Sequence, residues 1–112
     1  MAQFQFLQLL LDWFESFKDL VFEWDEGNKS KSLAKHEIST TDAEDLFETR
    51  DFLVLLGKQV RPPTPEDRYG AYGLTKSGVH LFVCFTIRGK KIRVISIRKM
   101  NRKELKEYEK LR

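Results

Sequence analysis

The stretch Val79-His-Leu-Phe-Val-Cys-Phe-Thr-Ile-Arg88 runs through Gly89-Lys90 into Lys91-Ile-Arg-Val-Ile-Ser-Ile-Arg98. In its first part Val79, Leu81, Val83, Phe85 and Ile87 alternate with His80, Phe82, Cys84 and Thr86. A period of two puts the first set on one face of a strand, wholly apolar, and the second on the other, mostly apolar. Such a strand belongs in the middle of a sheet. Arg88-Gly-Lys90 reads as a turn, and the Val/Ile-rich run after it as the returning strand. On the N-terminal side Thr75-Lys-Ser-Gly78 is a second turn, preceded by a strand over residues 68–74. Residues 68–98 are therefore expected to form a meander of strands.

Outward from the meander, Arg61-Pro-Pro-Thr-Pro-Glu66 is a loop, because proline breaks helices and central strands alike. Phe52 to Leu56 is a continuous apolar run before Gly57, read as a buried strand that the glycine ends. Ahead of it, Ser39 with Asp42, or Thr41 with Glu44, has capping-box spacing, and Ile38 is placed to staple onto Ala43. Asp25 is the expected N-cap of a polar helix reaching His36, and Val21 to Trp24 a short extended piece. Phe6, Leu7, Leu10, Leu11, Trp13, Phe14, Phe17, Leu20 and Val21 recur at helical spacing, giving an N-terminal amphipathic helix. At the other end Asn101 with Glu104 is a second capping box, and Leu105, Tyr108 and Leu111 stripe a closing helix. The expected architecture is α+β, a largely antiparallel sheet of four to five strands with helices packed on it.

One domain fits 112 residues, since domains hold roughly 100–150. The 41% hydrophobic and 33% charged residues give an ordinary globular composition that needs no disulfide staple. The single Cys84 lies in an apolar run and reads as a buried small hydrophobe. One Cys and two His are too few for a structural zinc site, so no metal and no cofactor are expected. Residues 2–11 are uncharged, but a membrane helix needs roughly 20 apolar residues. No basic segment precedes them and no cleavage site follows, so neither a membrane role nor a signal peptide is expected; a reducing cytoplasm is the default location. The net charge of +3 is uneven: from Arg88 onward eleven Lys/Arg face three Glu (+8), while residues 1–87 hold nine against fourteen Asp/Glu (−5). A basic end on an acidic body suits a polyanion, and equally a solvated basic helix.

Several short motifs occur in a familiar order: Phe22-Glu-Trp-Asp25, Leu33-Ala-Lys-His36, the Ser39 cap, Glu66-Asp-Arg-Tyr69, Arg93-Val-Ile-Ser-Ile-Arg98, Asn101-Arg-Lys-Glu104 and Tyr108. With these the chain resembles the BrnT family of bacterial toxins over residues 22–108. The resemblance implies a RelE-like sheet and a metal-independent endoribonuclease that inhibits translation. It further implies neutralisation by a BrnA-like ribbon-helix-helix antitoxin, through which the pair would bind operator DNA. Residues 22–112 would then be the toxin domain, and residues 1–21 a helical extension outside the family pattern. That extension's broad apolar face is expected to bury against the domain or against a second copy, as a homodimer.

Cleaving RNA without metal needs a base for the 2′-hydroxyl proton, cations around the phosphate, and an acid for the leaving oxygen. Arginine suits the second task, because its planar fork grips phosphate oxygens and stays charged. Arg68 and Arg98 are the leading catalytic cations, with Glu66, His36 and Lys35 for acid–base work. Glu66 reads more readily as a salt-bridge partner of Arg68. Arg93, Lys99 and Arg102 are expected to bind RNA, and Trp24 either stacks on a base or packs. Arg93 and Arg98, five residues apart, should face opposite sides of a regular strand unless a bulge intervenes. The competing readings are a non-catalytic RNA- or DNA-binding module and a protein-interaction module.

Overall fold

A computed structural model describes residues 3–6, 8–16, 20–25 and 38–112. The elements in chain order are β1 (Gln3–Gln5), α1 (Gln8–Ser16), β2 (Val21–Phe22), α2 (Thr40–Glu48) and a 3-10 turn (Arg50–Phe52). After these come β3 (Val54–Arg61), β4 (Tyr69–Leu74), β5 (His80–Arg88), β6 (Lys91–Lys99) and α3 (Arg102–Leu111). The helix expected between Asp25 and His36 falls outside the described residues, and with it Lys35 and His36.

The meander forms the centre of the sheet. Its strands pair antiparallel in the order β1-β3-β4-β5-β6-β2, and only β2 runs parallel to its neighbour β6. Six strands replace the four to five expected, and the additional one is β1. Its Gln3-Phe4-Gln5 pattern puts Phe4 on a sheet face while its backbone pairs with β3. The N-terminal helix is correspondingly shorter than its apolar spacing suggests, since Val21 and Phe22 already belong to the sheet.

One side of the sheet carries the core. Leu81, Val83 and Phe85 of β5 lie there with Ala71 of β4 and Ile92, Val94 and Ile97 of β6, all buried. Leu10 and Phe14 of α1 and Ala43, Leu46 and Phe47 of α2 close over them. Phe47 is the hub, with its ring edge-on to Phe85 at 5.1 Å and stacked on Phe14 at 5.9 Å. Such aromatic pairs add about 0.5–1.5 kcal/mol each beyond the area they bury. The α2 helix starts as a capping box between Ser39 and Asp42, the first of the two spacings considered. Ile38, just before the cap, is buried in the same core.

The expected strand over residues 52–56 is shifted, and Gly57 does not end it. Phe52 closes the 3-10 turn, and β3 continues to Arg61 through a register shift at Gly57, whose φ is +107°. Only glycine tolerates that conformation cheaply. A Cβ there would also overlap the Gln5 carbonyl, so the same glycine admits β1 to the sheet edge.

Candidate nucleic-acid interface

The face opposite the core carries the polar chemistry, and a bulge in β6 determines which arginines reach it. Thr86 pairs with Arg93 and Phe85 with Val94, but Cys84 pairs with Ser96 and Phe82 with Arg98. Ile95 is thus the extra residue, and alternation restarts after it. Arg93 and Arg98 therefore project from the same face, correcting the expectation for a regular strand. Register across β4 adds the rest: Tyr72 is opposite Phe82 and Gly70 opposite Cys84, so Arg68, two residues before Gly70, shares this face.

Three cross-strand rows result. Gln59, Arg68, Thr86 and Arg93 form one; Gly70, Cys84 and Ser96, all with small side chains, form the next; Tyr72, Phe82 and Arg98 form the third. With strands about 4.8 Å apart and residues about 3.3 Å apart along them, Arg68 and Arg93 are roughly 10 Å from each other at the backbone, and Arg98 is roughly 13 Å further along. The middle row separates Arg68 and Arg93 from Arg98, and the Phe4 ring of β1 covers it at Gly70.

Their surroundings differ. Arg93 reaches Glu23 at 3.2 Å and Asp25 at 2.7 Å, and its side chain is mostly covered. Arg98 donates from both terminal nitrogens to Glu104, at 2.6 and 2.8 Å, and stacks over Phe82 with its carbon 4.8 Å from the ring centre. Both guanidinium pKa values rise, first through the hydrogen bonds to these carboxylates. The Arg98 bond in turn holds the Glu104 carboxyl below the usual glutamate range. Arg68 has no ion pair among the described residues, and its Nε is shielded from solvent without a hydrogen-bond partner. An unmet buried donor typically costs about 1–3 kcal/mol. Among the described residues Arg68 is thus the one of the three arginines without a carboxylate partner, and its terminal nitrogens, not the shielded Nε, are left for a ligand.

Other expected residues fall elsewhere. Glu66 pairs with Arg88 at 3.6 Å, not with Arg68, because the loop carries it toward the β5–β6 turn. Trp24 is half-buried on the core side, donating to Glu44 at 2.9 Å and packed against the buried cluster. Lys99 and Arg102 are exposed where β6 meets α3. His80 packs edge-on against Tyr108 at 5.7 Å. The Cys84 thiol is buried in the middle row, and burial raises its pKa despite the nearby Arg68 charge. Among the described residues no group of three or more His, Cys, Asp or Glu is placed to hold a metal ion.

Residues 24–104 match the family described as "Ribonuclease toxin, BrnT, of type II toxin-antitoxin system". The chain belongs to the BrnT family. Among solved structures, the ribonuclease toxin BrnT of Brucella abortus is similar, with 26% sequence identity and a TM-score of 0.56 over 75% of this chain and 100% of that one. No curated protein matches the chain significantly. All three face arginines and Glu104 lie inside the segment matched to the BrnT family, whereas β1 and α1 lie before it. No helix among the described residues is long and apolar enough to cross a membrane.

Sequence reasoning missed several members of this face. Glu104 was legible only as half of a capping box, which it is; its second bond, to Arg98, depends on α3 folding back over the sheet end. Tyr72 donates to Glu107 at 3.2 Å from the same helix, and burial followed by the Glu107 charge drives its phenol pKa strongly upward. Gln59 and Phe4 had no signal, because their strand positions follow from the unforeseen continuation of β3 and from β1.

Proposed function

We propose that this BrnT-family toxin cleaves RNA endonucleolytically and without metal, on the arginine-bearing sheet face. In that reaction a 2′-oxygen attacks the adjacent phosphorus and the 5′-oxygen leaves. The products are a 2′,3′-cyclic phosphate and a 5′-hydroxyl. Arg68 takes the leading role, gripping a non-bridging phosphate oxygen as negative charge builds there. Arg98 and Arg93, fixed by their carboxylates, supply an oriented positive field, and Lys99 and Arg102 draw the polyanion in. The acid and base are sought among Glu66, Lys35 and His36, the last two outside the described residues. The observation that carries this reading is the sharing of one face by three arginines, of which Arg68 alone lacks a carboxylate.

The toxin would stop translation by destroying RNA. A BrnA-like antitoxin with a ribbon-helix-helix part would neutralise it and carry the pair to operator DNA. The basic stretch around Lys99 and Arg102 is also available to acidic antitoxin residues. A second reading, a nucleic-acid-binding module without catalysis, draws support from the saturation of Arg93 and Arg98 by carboxylates. Incubation of purified protein with RNA in EDTA, followed by end-group analysis, separates the two. Cyclic phosphate ends support the nuclease; binding with intact RNA supports the module.

A further inference from the structure

We propose that the cleft between β1 and α3 is a nucleobase subsite, occupied by a base of the same RNA whose phosphate meets the arginine face. This rests on the RNA-directed reading above and adds where, and by which residues, a base is held.

The cleft has a volume of about 740 Å³ and shares Arg98 with the arginine face, so the two are continuous. A strand lying along the face has the cleft beside it. One wall is aromatic. Phe82 stands edge-on to Phe4 at 6.0 Å, and Phe6 at the mouth is 55% exposed. The opposite wall is the first turns of α3, offering Asn101, Lys103 and Glu107. An aromatic π-face for stacking, faced by donors and acceptors for a base edge, is the chemistry of single-stranded nucleic-acid recognition.

The aromatic wall is built into the fold. The Phe4 ring packs against Gly70, where a Cβ would sit 2.6 Å from a ring carbon. A glycine at the second position of β4 thus makes room for a side chain delivered by β1. Phe4 and Phe6 precede the residues matched to the family, whereas Phe82 lies within them.

The test uses a labelled 2′-O-methyl oligonucleotide, which lacks the nucleophile and stays intact, and an abasic 2′-O-methyl backbone of equal length. Both are titrated by fluorescence anisotropy with the full chain at one salt concentration. Wild type should bind the base-bearing strand about fivefold or more tightly than the abasic one, the scale of one stacked base. Phe6→Ala and Phe4→Leu should each erase most of that preference and leave abasic binding unchanged. Phe4→Leu keeps apolar cover on Gly70, so folding is retained and checked by melting temperature. Equal wild-type binding of the two strands would overturn the subsite, and so would a preference that survives in both variants. If RNA is cleaved while no base preference exists, the subsite falls and the nuclease reading stands. Base-dependent binding without cleavage has the reverse meaning. Loss of antitoxin pairing in these variants with base preference intact would mean a protein occupies the cleft, and would also overturn the proposal.

Discussion

Replacing Glu104 with Gln isolates the ion pair that holds Arg98. Gln at this position preserves the capping-box role, since its side-chain oxygen still accepts from the Asn101 backbone. What is lost is the negative charge facing Arg98 across bonds of 2.6 and 2.8 Å. Exposed ion pairs contribute about 0.2–1 kcal/mol, and hydrogen bonds to charged groups about 1.5–3. The Glu104 side chain is 15% exposed and the Arg98 side chain 40%, so the pair is partly screened. The expected loss is therefore about 1.5 kcal/mol. For 112 residues that lowers the melting temperature by about 6 °C near neutral pH. The pH dependence has a definite sign. Because the folded-state pKa of Glu104 is lowered, the pair's contribution is present above the unfolded value of about 4.3. It disappears as pH falls through the folded value. Scanning calorimetry of both proteins from pH 7 downward should show a gap that closes below about pH 4. A Glu104→Gln variant melting with wild type at pH 7 would refute the reasoning, as would a gap of constant size across the acid range.

Two further outcomes are expected. Arg68→Ala should lower RNA cleavage about a hundredfold, with the melting temperature little changed because no carboxylate is orphaned; a variant cleaving at the wild-type rate would place the chemistry elsewhere. Phe14→Ala should cost about 3–5 kcal/mol in urea unfolding, since its ring is 4% exposed and meets both Phe47 and Phe85; a loss under about 1 kcal/mol would mean that α1 is not part of the core.

The elements with strong periodicity or explicit caps were legible in the sequence. The alternation from Val79 to Ile87 gave the central strand, and Ser39 and Asn101 gave two helix starts at the observed residues. What was not legible depends on partners distant in sequence. Gln3–Gln5 is too short to announce itself and becomes a strand only because β3 offers an edge. Gly57 looks like a terminator until the backbone of Gln5 approaches it. Glu66 sits two residues from Arg68, yet the loop sends it to Arg88. At the interface, residue types were readable and their facing was not. Arg68, Arg93 and Arg98 could each be chosen as arginines among apolar strand residues, but their gathering on one face depends on the register shift at Ile95.

That shift gives β6 two phases. Before Ile95 the odd-numbered Arg93 looks outward; after it the even-numbered Ser96 and Arg98 do. The strand behaves like text with one inserted letter, so its second half is read in a different frame from its first. Losing the one extra residue between Val94 and Ile97 would restore strict alternation and leave Arg98 outward, whereas flattening the bulge at full length would turn Arg98 inward and present Lys99 in its place. Length is consequently as much a part of this strand's specification as composition. A substitution there changes one side chain, whereas a one-residue change of length outside the bulge exchanges the wet and dry sides of everything beyond it.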